Sequence, residues 1–77
     1  MTIRIVIADD HLIIRQGIRM ILDTEKDLEL VGEAGDGAEA LEICAAQNPE
    51  VVLMDLRMPG MDGLTAIEKL KDLHPEI

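Results

Sequence analysis

Apolar positions along the chain follow two different periodicities. Three short runs have the pattern of strands. Ile3 to Ala8 and Val51 to Met54 are rich in aliphatic and β-branched residues, as buried strands are, whereas Leu28 to Ala34 alternates, as a strand nearer an edge does. Three longer segments repeat their apolar positions at helical spacing, over Leu12 to Leu22, about Ala38 to Gln47 and about Leu64 to Leu73. The pattern predicts the order β-α-β-α-β-α, and alternating units of this kind form an α/β fold with a parallel sheet and right-handed crossovers.

The first helix carries more apolar surface than one neighbour would cover. Its apolar residues extend over roughly 200° of the helical wheel, whereas a helix on the surface of a domain buries a stripe of about 100°. These residues are Ile13, Ile14, Gly17, Ile18, Met20, Ile21 and Leu22. We therefore expect this helix to contact two neighbours, and we expect Asp9 or Asp10 to be its N-cap.

The other two helices have narrower predicted core faces. The residues expected to point inward are Ala38, Leu41, Cys44 and Ala45 in the second helix and Ile67, Leu70 and Leu73 in the third. Ile43 falls outside the predicted face of the second helix, which Asn48 and Pro49 are expected to end. We interpret Ile77 as the first residue of a further strand.

The third apolar run ends abruptly at a carboxylate. Asp55 follows Val51 to Met54, and a loop containing Pro59, Gly60 and Gly63 separates it from the next helix. An unbroken aliphatic run suits a parallel strand that is covered on both faces. Ligands of open α/β folds bind outside the carboxyl ends of such strands, so Asp55 is the first candidate for a functional residue.

The first strand ends in the same way, at Asp9 and Asp10. If this strand lies between the other two, in the order 2-1-3, the three acids share one rim, because neighbouring strands are about 4.8 Å apart. The helices that follow the first and third strands would then lie on opposite faces and leave a crevice between them. Three adjacent carboxylates must hold either protons or a cation, and oxygen ligands favour Mg²⁺. Asp55, at the more exposed strand end, is the predicted nucleophile towards phosphorus.

A simpler interpretation is that each acid is a solvated turn residue at the end of its strand. Two acidic strand ends in predicted neighbours argue against it. The loop after Asp55 argues in the same direction, because Pro59, Gly60 and Gly63 specify its backbone and Asp62 is placed to cap the next helix.

Composition narrows the range of functions. The formal net charge of -9 argues against a nucleic-acid surface and favours metal cations or basic partners. The 77 residues make one small domain at most, and without aromatic residues its core must be aliphatic. Cys44 is the single cysteine, which excludes an internal disulfide. No apolar run approaches the roughly 20 residues of a membrane span and no signal peptide is evident, so we expect a cytoplasmic protein that does not contact membranes.

Three motifs together resemble the receiver domain of two-component response regulators, in the branch with a C-terminal helix-turn-helix output domain. They are IADD at 7 to 10, DG at 36 to 37 with EAL at 39 to 41, and MDLRMPGMDG at 54 to 63. The resemblance covers essentially the whole chain and implies a flavodoxin-like fold. It implies that Asp55 accepts a phosphoryl group from a histidine kinase, and that the domain is a phosphoacceptor, not an enzyme. It also implies that Asp10, Asp55 and the backbone carbonyl of Arg57 ligate Mg²⁺, with Asp9 in support.

The chain departs from that family in length. Complete receivers have two further strands and helices, which supply a Ser or Thr and a Lys at the phosphoryl group. We therefore interpret residues 1–77 as the N-terminal portion of a receiver, and we assign none of Thr65, Lys69 and Lys71 to those roles. The uncovered edge of the third strand and the broad apolar face of the first helix predict self-association, or binding of a complementary fragment. DNA binding would require an output domain that these residues do not include.

Two other functions are compatible with parts of the sequence. The chain could be a non-catalytic interaction or folding fragment that assembles through its apolar face and leaves the acidic rim unused. It could also be a metal-dependent phosphohydrolase, but that reaction would typically need a second acid where Arg57 stands.

Several remaining residues have ordinary structural interpretations. Cys44 suits a small buried hydrophobe, and the methionines 54, 58 and 61 suit packing. We interpret His11 as a polar first-turn residue, with an approach to the metal as the alternative, and His74 as a helix-end residue. Arg15 and Arg19 lie one helical turn apart and suit a solvated face, with a partner surface as the alternative.

Overall fold

The computed structural model describes residues 2–77, in which strands and helices alternate along the chain. The three strands are β1 (Ile3–Ala8), β2 (Leu28–Ala34) and β3 (Val51–Met54), and they form one parallel sheet in the order β2-β1-β3. The three helices are α1 (Leu12–Asp23), α2 (Gly37–Gln47) and α3 (Gly63–Leu73). The predicted order of elements, the parallel pairing and the strand order are confirmed.

The central strand β1 is buried on both faces because its successive side chains point in opposite directions. Ile5 and Ile7 pack with Leu22 of α1 on one face. Val6 packs with Cys44 of α2 and Leu70 of α3 on the other. The helices that follow β1 and β3 therefore lie on opposite faces of the sheet, which confirms the predicted crevice at its carboxyl end.

β3 lies at the edge of the sheet and is covered on one face only. Val52 and Met54 pack on the side of α2 and α3, whereas Val51 and Leu53 are 39% and 40% exposed. The prediction that β3 is covered on both faces is therefore wrong for residues 2–77. The cause is the position of α1, which packs over β1 and β2 and leaves its side of β3 open.

One side of α1 is covered within the described residues. Leu22 is buried and Ile18 is partly buried against the sheet, but Ile13, Met20 and Ile21 are 65% to 80% exposed. Residues 2–77 thus supply one of the two predicted neighbours. The predicted N-cap is also wrong: His11 holds that position and its side chain makes no capping hydrogen bond. 

α2 and α3 pack through faces that match the predicted ones only in part. Cys44 is buried as predicted, and Leu41 and Ile67 are partly buried. In α2, Ala38 and Ala45 are exposed, whereas Ile43 packs against the core. In α3, Leu70 is buried as predicted, but Leu73 is 66% exposed. The buried positions that share the inner faces are Gly37, Ala40 and Cys44 in α2 and Gly63, Ala66 and Leu70 in α3. The two helices also contact each other, so small residues that permit close approach define these faces.

The helix ends follow local hydrogen-bonding rules. Before α2, the Asp36 side chain accepts from the backbone N–H of Glu39, whose carboxylate accepts from Gly35, which is a reciprocal cap. α2 ends at Asn48 as predicted, and Asn48 lies in the left-handed region, as C-terminal caps often do. Asp62 caps α3 as predicted by accepting from Thr65, and these hydrogen bonds lower the pKa of Asp62.

Three smaller observations complete the fold. The N–H of Ile77 donates to the carbonyl of His74 in a turn, and its side chain packs near Val6. A further strand that starts at Ile77 stays a prediction. Cys44 is fully buried and burial raises the pKa of its thiol, in agreement with a packing role. Within residues 2–77, every helix is too short or too polar to cross a bilayer.

Candidate functional site

The sheet places Asp55 and Asp9 side by side at its carboxyl end. The backbone N–H of Asp55 donates to the carbonyl of Ala8 at 2.8 Å, which continues the pairing of β3 with β1. The N–H of Asp9 donates to Ala34 at 3.0 Å, which continues the pairing of β1 with β2. Both acids are therefore the first residues after their strands and are still fixed by the sheet. This confirms that the backbone brings the acids of β1 and β3 together.

Four side chains meet at this rim. One ligand atom from each of Asp9, Asp10, His11 and Asp55 lies within 4.8 Å of all the others. The carboxylate of Asp55 is 24% exposed, compared with 14% for Asp9 and 31% for Asp10. Asp55 is thus more accessible than Asp9, as predicted for the two strand ends, although Asp10 is more accessible still.

The imidazole of His11 lies among the three carboxylates. Its Nδ1 atom is 2.8 Å from Asp9 Oδ1, 3.1 Å from Asp10 Oδ1 and 3.9 Å from Asp55 Oδ2. The ring therefore approaches the acidic cluster, which was the alternative interpretation of this residue.

These contacts shift the pKa values of two members of the cluster. The hydrogen bond with Asp9 and then the charge of Asp10 raise the pKa of His11 above its ordinary value of 6.5. Burial raises the pKa of Asp9, but hydrogen bonds from the backbone and ring of His11 outweigh burial and lower it below 3.8. The cluster therefore favours a positive group beside its carboxylates.

The loop after β3 orients the carboxylate of Asp55. Its Oδ1 atom accepts from the backbone N–H of Arg57 at 3.1 Å, while Oδ2 is the oxygen nearest the ring of His11. The loop closes where Gly63 N–H donates to the carbonyl of Leu56 at 3.2 Å. Gly60 has φ of 73°, in the left-handed region that favours glycine, as expected from its place in the turn.

The donor set fits a hard divalent cation. Three carboxylates supply oxygen ligands and mutual repulsion, and Mg²⁺ characteristically takes one or two carboxylates and retains several waters. The oxygens of Asp9 are not equally available, because Oδ1 accepts from both the backbone N–H and the ring of His11. Asp10 and Asp55 are therefore better placed than Asp9 to act as direct ligands.

Arg15 belongs to this site, although its sequence pattern predicted only a solvated face or a partner surface. Arg15 donates through Nη1 to the backbone carbonyl of Asp9, and both Arg15 and Arg19 pair with Glu33 of β2. These arginines are therefore not a purely solvated face. The spacing in the sequence could have indicated this role, because Arg15 follows His11 by four residues and so lies on the same side of α1.

The residues left unassigned in sequence analysis lie on α3. Thr65 is in the first turn, where its backbone N–H donates to Asp62. Lys69 and Lys71 are exposed on later turns. None of the three belongs to the acidic cluster.

Comparison with known proteins relates both the sequence and the fold to one family. The model of the response regulator receiver domain matches residues 5–77. The transcriptional regulatory protein YhcZ of Bacillus subtilis strain 168 is 49% identical over 73 residues, which cover 95% of this chain and 34% of that protein. The chain thus spans about a third of the length of such relatives.

Solved structures give the same relation at the level of the backbone. The response regulator domain of Thermotoga maritima CheB superposes with a TM-score of 0.94 at 33% identity, covering 97% of this chain and 56% of that one. A LuxR-family two-component response regulator from Aurantimonas sp. SI85-9A1 superposes with a TM-score of 0.91 at 33% identity, covering 97% of this chain and 54% of that one. These matches identify the observed sheet and helices as a flavodoxin-like receiver fold.

Proposed function

Because the chain belongs to the response regulator receiver family, we propose that Asp55 is its phosphoacceptor and that it is phosphorylated by a histidine kinase with the help of Mg²⁺. Receiver domains of this family are phosphorylated by histidine kinases, and they are not in themselves an enzyme family. The observation that carries the proposal is the meeting of Asp55 with Asp9 and Asp10 at one rim. The relatives are transcriptional regulators, so the phosphoryl group would control an output function outside residues 1–77. The net charge of -9 supports the proposal that this segment does not bind DNA.

In this proposal Asp10, Asp55 and the backbone carbonyl of Arg57 hold the cation, and Asp9 supports them. The hydrogen bond from Arg57 N–H to Asp55 keeps the backbone of Arg57 close to the carboxylate. Asp9 suits a supporting role because His11 already occupies its Oδ1 atom. When bound, Mg²⁺ would neutralise charge on the incoming phosphoryl oxygens.

The two oxygens of Asp55 have different surroundings, which suggests different roles. Oδ2 is the oxygen near the cluster and would ligate the cation. Oδ1 is oriented by Arg57 N–H and would attack phosphorus. The new O–P bond forms as the P–N bond of the kinase phosphohistidine breaks, and its electron pair leaves with the imidazole. The product is an acyl phosphate on Asp55.

We further propose that residues 1–77 alone are switch-deficient. The segment contains no serine, and its threonines and lysines are not assigned to the phosphoryl group. When it is incubated with Mg²⁺ and acetyl phosphate, we expect a small, Mg²⁺-dependent fraction of labelled chain or none, measured by intact-protein mass spectrometry and peptide mapping. Any label should lie on Asp55 and be unaffected in Asp72→Asn, an exposed acid of α3. A label that persists in Asp55→Asn would contradict the assignment.

The alternative function as an assembling fragment rests on the open side of the sheet. Leu53 and Val51 of the edge strand are exposed on the same side as the uncovered residues of α1. Two copies could pair through this edge and bury the apolar surface. Such association would depend on neither Mg²⁺ nor Asp55.

Sedimentation equilibrium tests this association directly. We expect the wild-type chain to associate as its concentration rises, and we expect Leu53→Lys to weaken the association at least tenfold by placing a charge on the edge strand. Leu73→Lys is the matched control, because Leu73 is also exposed but lies at the end of α3 that is away from the rim. A monomeric wild-type chain at high concentration would show that the open edge does not drive assembly.

A further inference from the structure

Arg15 connects three elements next to the acidic cluster. Its Nη1 atom donates to the backbone carbonyl of Asp9, at the end of β1. Its Nε atom lies 3.4 Å from Oε1 of Glu33, on β2. The side chain is only 19% exposed although it belongs to a surface helix, so the guanidinium is held in one position between α1 and the sheet.

An irregularity in β2 makes this arrangement possible. Ile5 pairs with Leu30, but Val6 pairs with Gly32, so the register skips one residue of β2. Leu30 packs on the α1 side of the sheet, and strict alternation from it would turn Glu33 to the opposite face. The bulge changes the alternation and presents Glu33 to α1, in keeping with the way bulges redirect side chains near functional sites.

Arg15 and Arg19 share Glu33 but differ in what else they reach. Arg19 pairs with the Oε2 atom of Glu33 and is 55% exposed. Arg15 pairs with Oε1 and also reaches the Asp9 carbonyl. Its Nε has no hydrogen-bond partner among the described residues, so the Asp9 carbonyl is the acceptor that sets the direction of the guanidinium. Only Arg15 therefore joins Glu33 to the metal-site segment.

We propose that Arg15 is a positioning residue for the metal site, which holds the Asp9 carbonyl and thereby orients the segment that carries Asp10. Glu33 acts as its anchor on β2. The inference rests on the proposed function, because it concerns the same cation. A planar guanidinium can direct one N–H at a carbonyl while its charge stays close to a carboxylate, which suits the contacts of Arg15 with Asp9 and Glu33.

The sign of the effect separates positioning from simple electrostatics. Removing a positive charge near three carboxylates should strengthen binding of a cation if charge alone matters. Loss of a positioning group should weaken it, and second-shell partners of metal ligands typically contribute about 10- to 100-fold to affinity. Arg15→Gln and Arg19→Gln remove the same charge from the same ion-pair cluster, so the second variant is a matched control for the first.

The experiment is calorimetric titration of MgCl₂ into the 77-residue chain and its variants, under conditions in which circular dichroism shows each variant folded. We expect Arg15→Gln to weaken Mg²⁺ binding about tenfold, and Arg19→Gln to bind as the wild type or slightly more tightly. Arg15→Lys retains the charge but replaces the planar guanidinium with an ammonium group on a flexible stem, whose donors have no fixed directions, so it should lose a smaller part of the affinity. It also supplies the comparison if Arg15→Gln does not fold.

Other outcomes overturn the inference in distinguishable ways. If Arg15→Gln binds Mg²⁺ as tightly as the wild type or more tightly, Arg15 does not position the site. If Arg15→Gln does not fold, wild-type binding in a folded Arg15→Lys leads to the same conclusion. Equal weakening in Arg15→Gln and Arg19→Gln would attribute the effect to the shared ion pairs. Asp10→Asn tests the site itself: if it binds Mg²⁺ as tightly as the wild type, the proposed metal site is wrong and the inference falls with it. If Asp10→Asn loses binding while Arg15→Gln does not, the inference about Arg15 alone fails.

Discussion

Gly63→Ala is expected to lower the free energy of unfolding by about 3 kcal/mol, at the upper end of the cost of overpacking a core. A Cβ atom at this position would overlap the carbonyl oxygen of Asp55 and lie 2.8 Å from the Cα atom of Leu56. Both are backbone atoms at the end of β3, so neither can move aside as a flexible side chain would. A domain of this size has a total stability of only about 4 to 12 kcal/mol, and the expected loss is a large part of it.

Urea denaturation followed by circular dichroism measures this effect, and Gly17→Ala is its control. Gly17 lies within α1 with open space around the position of a Cβ atom, and alanine favours a helix over glycine by about 0.5–1 kcal/mol. We therefore expect Gly17→Ala to raise the urea midpoint and Gly63→Ala to lower it. A wild-type midpoint in Gly63→Ala would mean that α3 does not need this close approach to Asp55.

The order of elements and the meeting of the acids could be predicted because they depend on local patterns and one topological rule. The runs before Asp9 and Asp55 are short and β-branched, and the carboxyl ends of parallel strands meet at one edge. Strand order placed the two runs next to each other, and the sheet hydrogen bonds of Asp9 and Asp55 are the direct result.

The residues on the inner faces of α2 and α3 could not be predicted from local patterns. α2 has alanine on several sides, so its apolar positions define no single stripe, and the choice between Ile43 and Ala45 depends on the neighbour it meets. The close contact between α2 and α3 favours small residues on the facing sides, so Ala66 of α3 is buried and Leu73 is exposed. Tertiary packing, not the amount of apolar surface, decides these faces.

The contact between Arg15 and Glu33 could not be predicted because β2 contains a bulge that breaks its alternation. A regular β2 would direct Glu33 away from α1, and its contact with Arg15 depends on the skipped residue near Val31. A one-residue shift moves every later side chain to the other face, and nothing in the run Leu28–Ala34 marks where it occurs. His11 was likewise uncertain because two acidic N-cap candidates, Asp9 and Asp10, stand directly before it in the sequence.

The second large effect concerns the response of stability to Mg²⁺. A ligand that binds only the folded chain stabilises it by about 2.7 kcal/mol when present at 100 times its dissociation constant. We expect the wild-type chain to gain this stability, because the cation relieves repulsion among Asp9, Asp10 and Asp55. Asp55→Asn retains the shape of the side chain but removes one anionic ligand, so most of the gain should disappear.

The same substitution should not destabilise the chain when Mg²⁺ is left out. Without the cation, the charge of Asp55 adds to a crowded acidic rim, and a pair of like charges about 4 Å apart costs on the order of 1 kcal/mol in water. Urea midpoints with EDTA and with saturating Mg²⁺ therefore separate a role of Asp55 in binding the cation from a role in folding. The midpoint of Asp55→Asn should match or exceed that of the wild type in EDTA and fall below it in Mg²⁺. The control Asp72→Asn should follow the wild type in both solutions. A variant that loses stability equally in both solutions would make Asp55 a structural residue. One that retains the full Mg²⁺ response would move the cation away from the end of β3, since within residues 2–77 Asp55 is the one acid that follows β3 and belongs to the cluster.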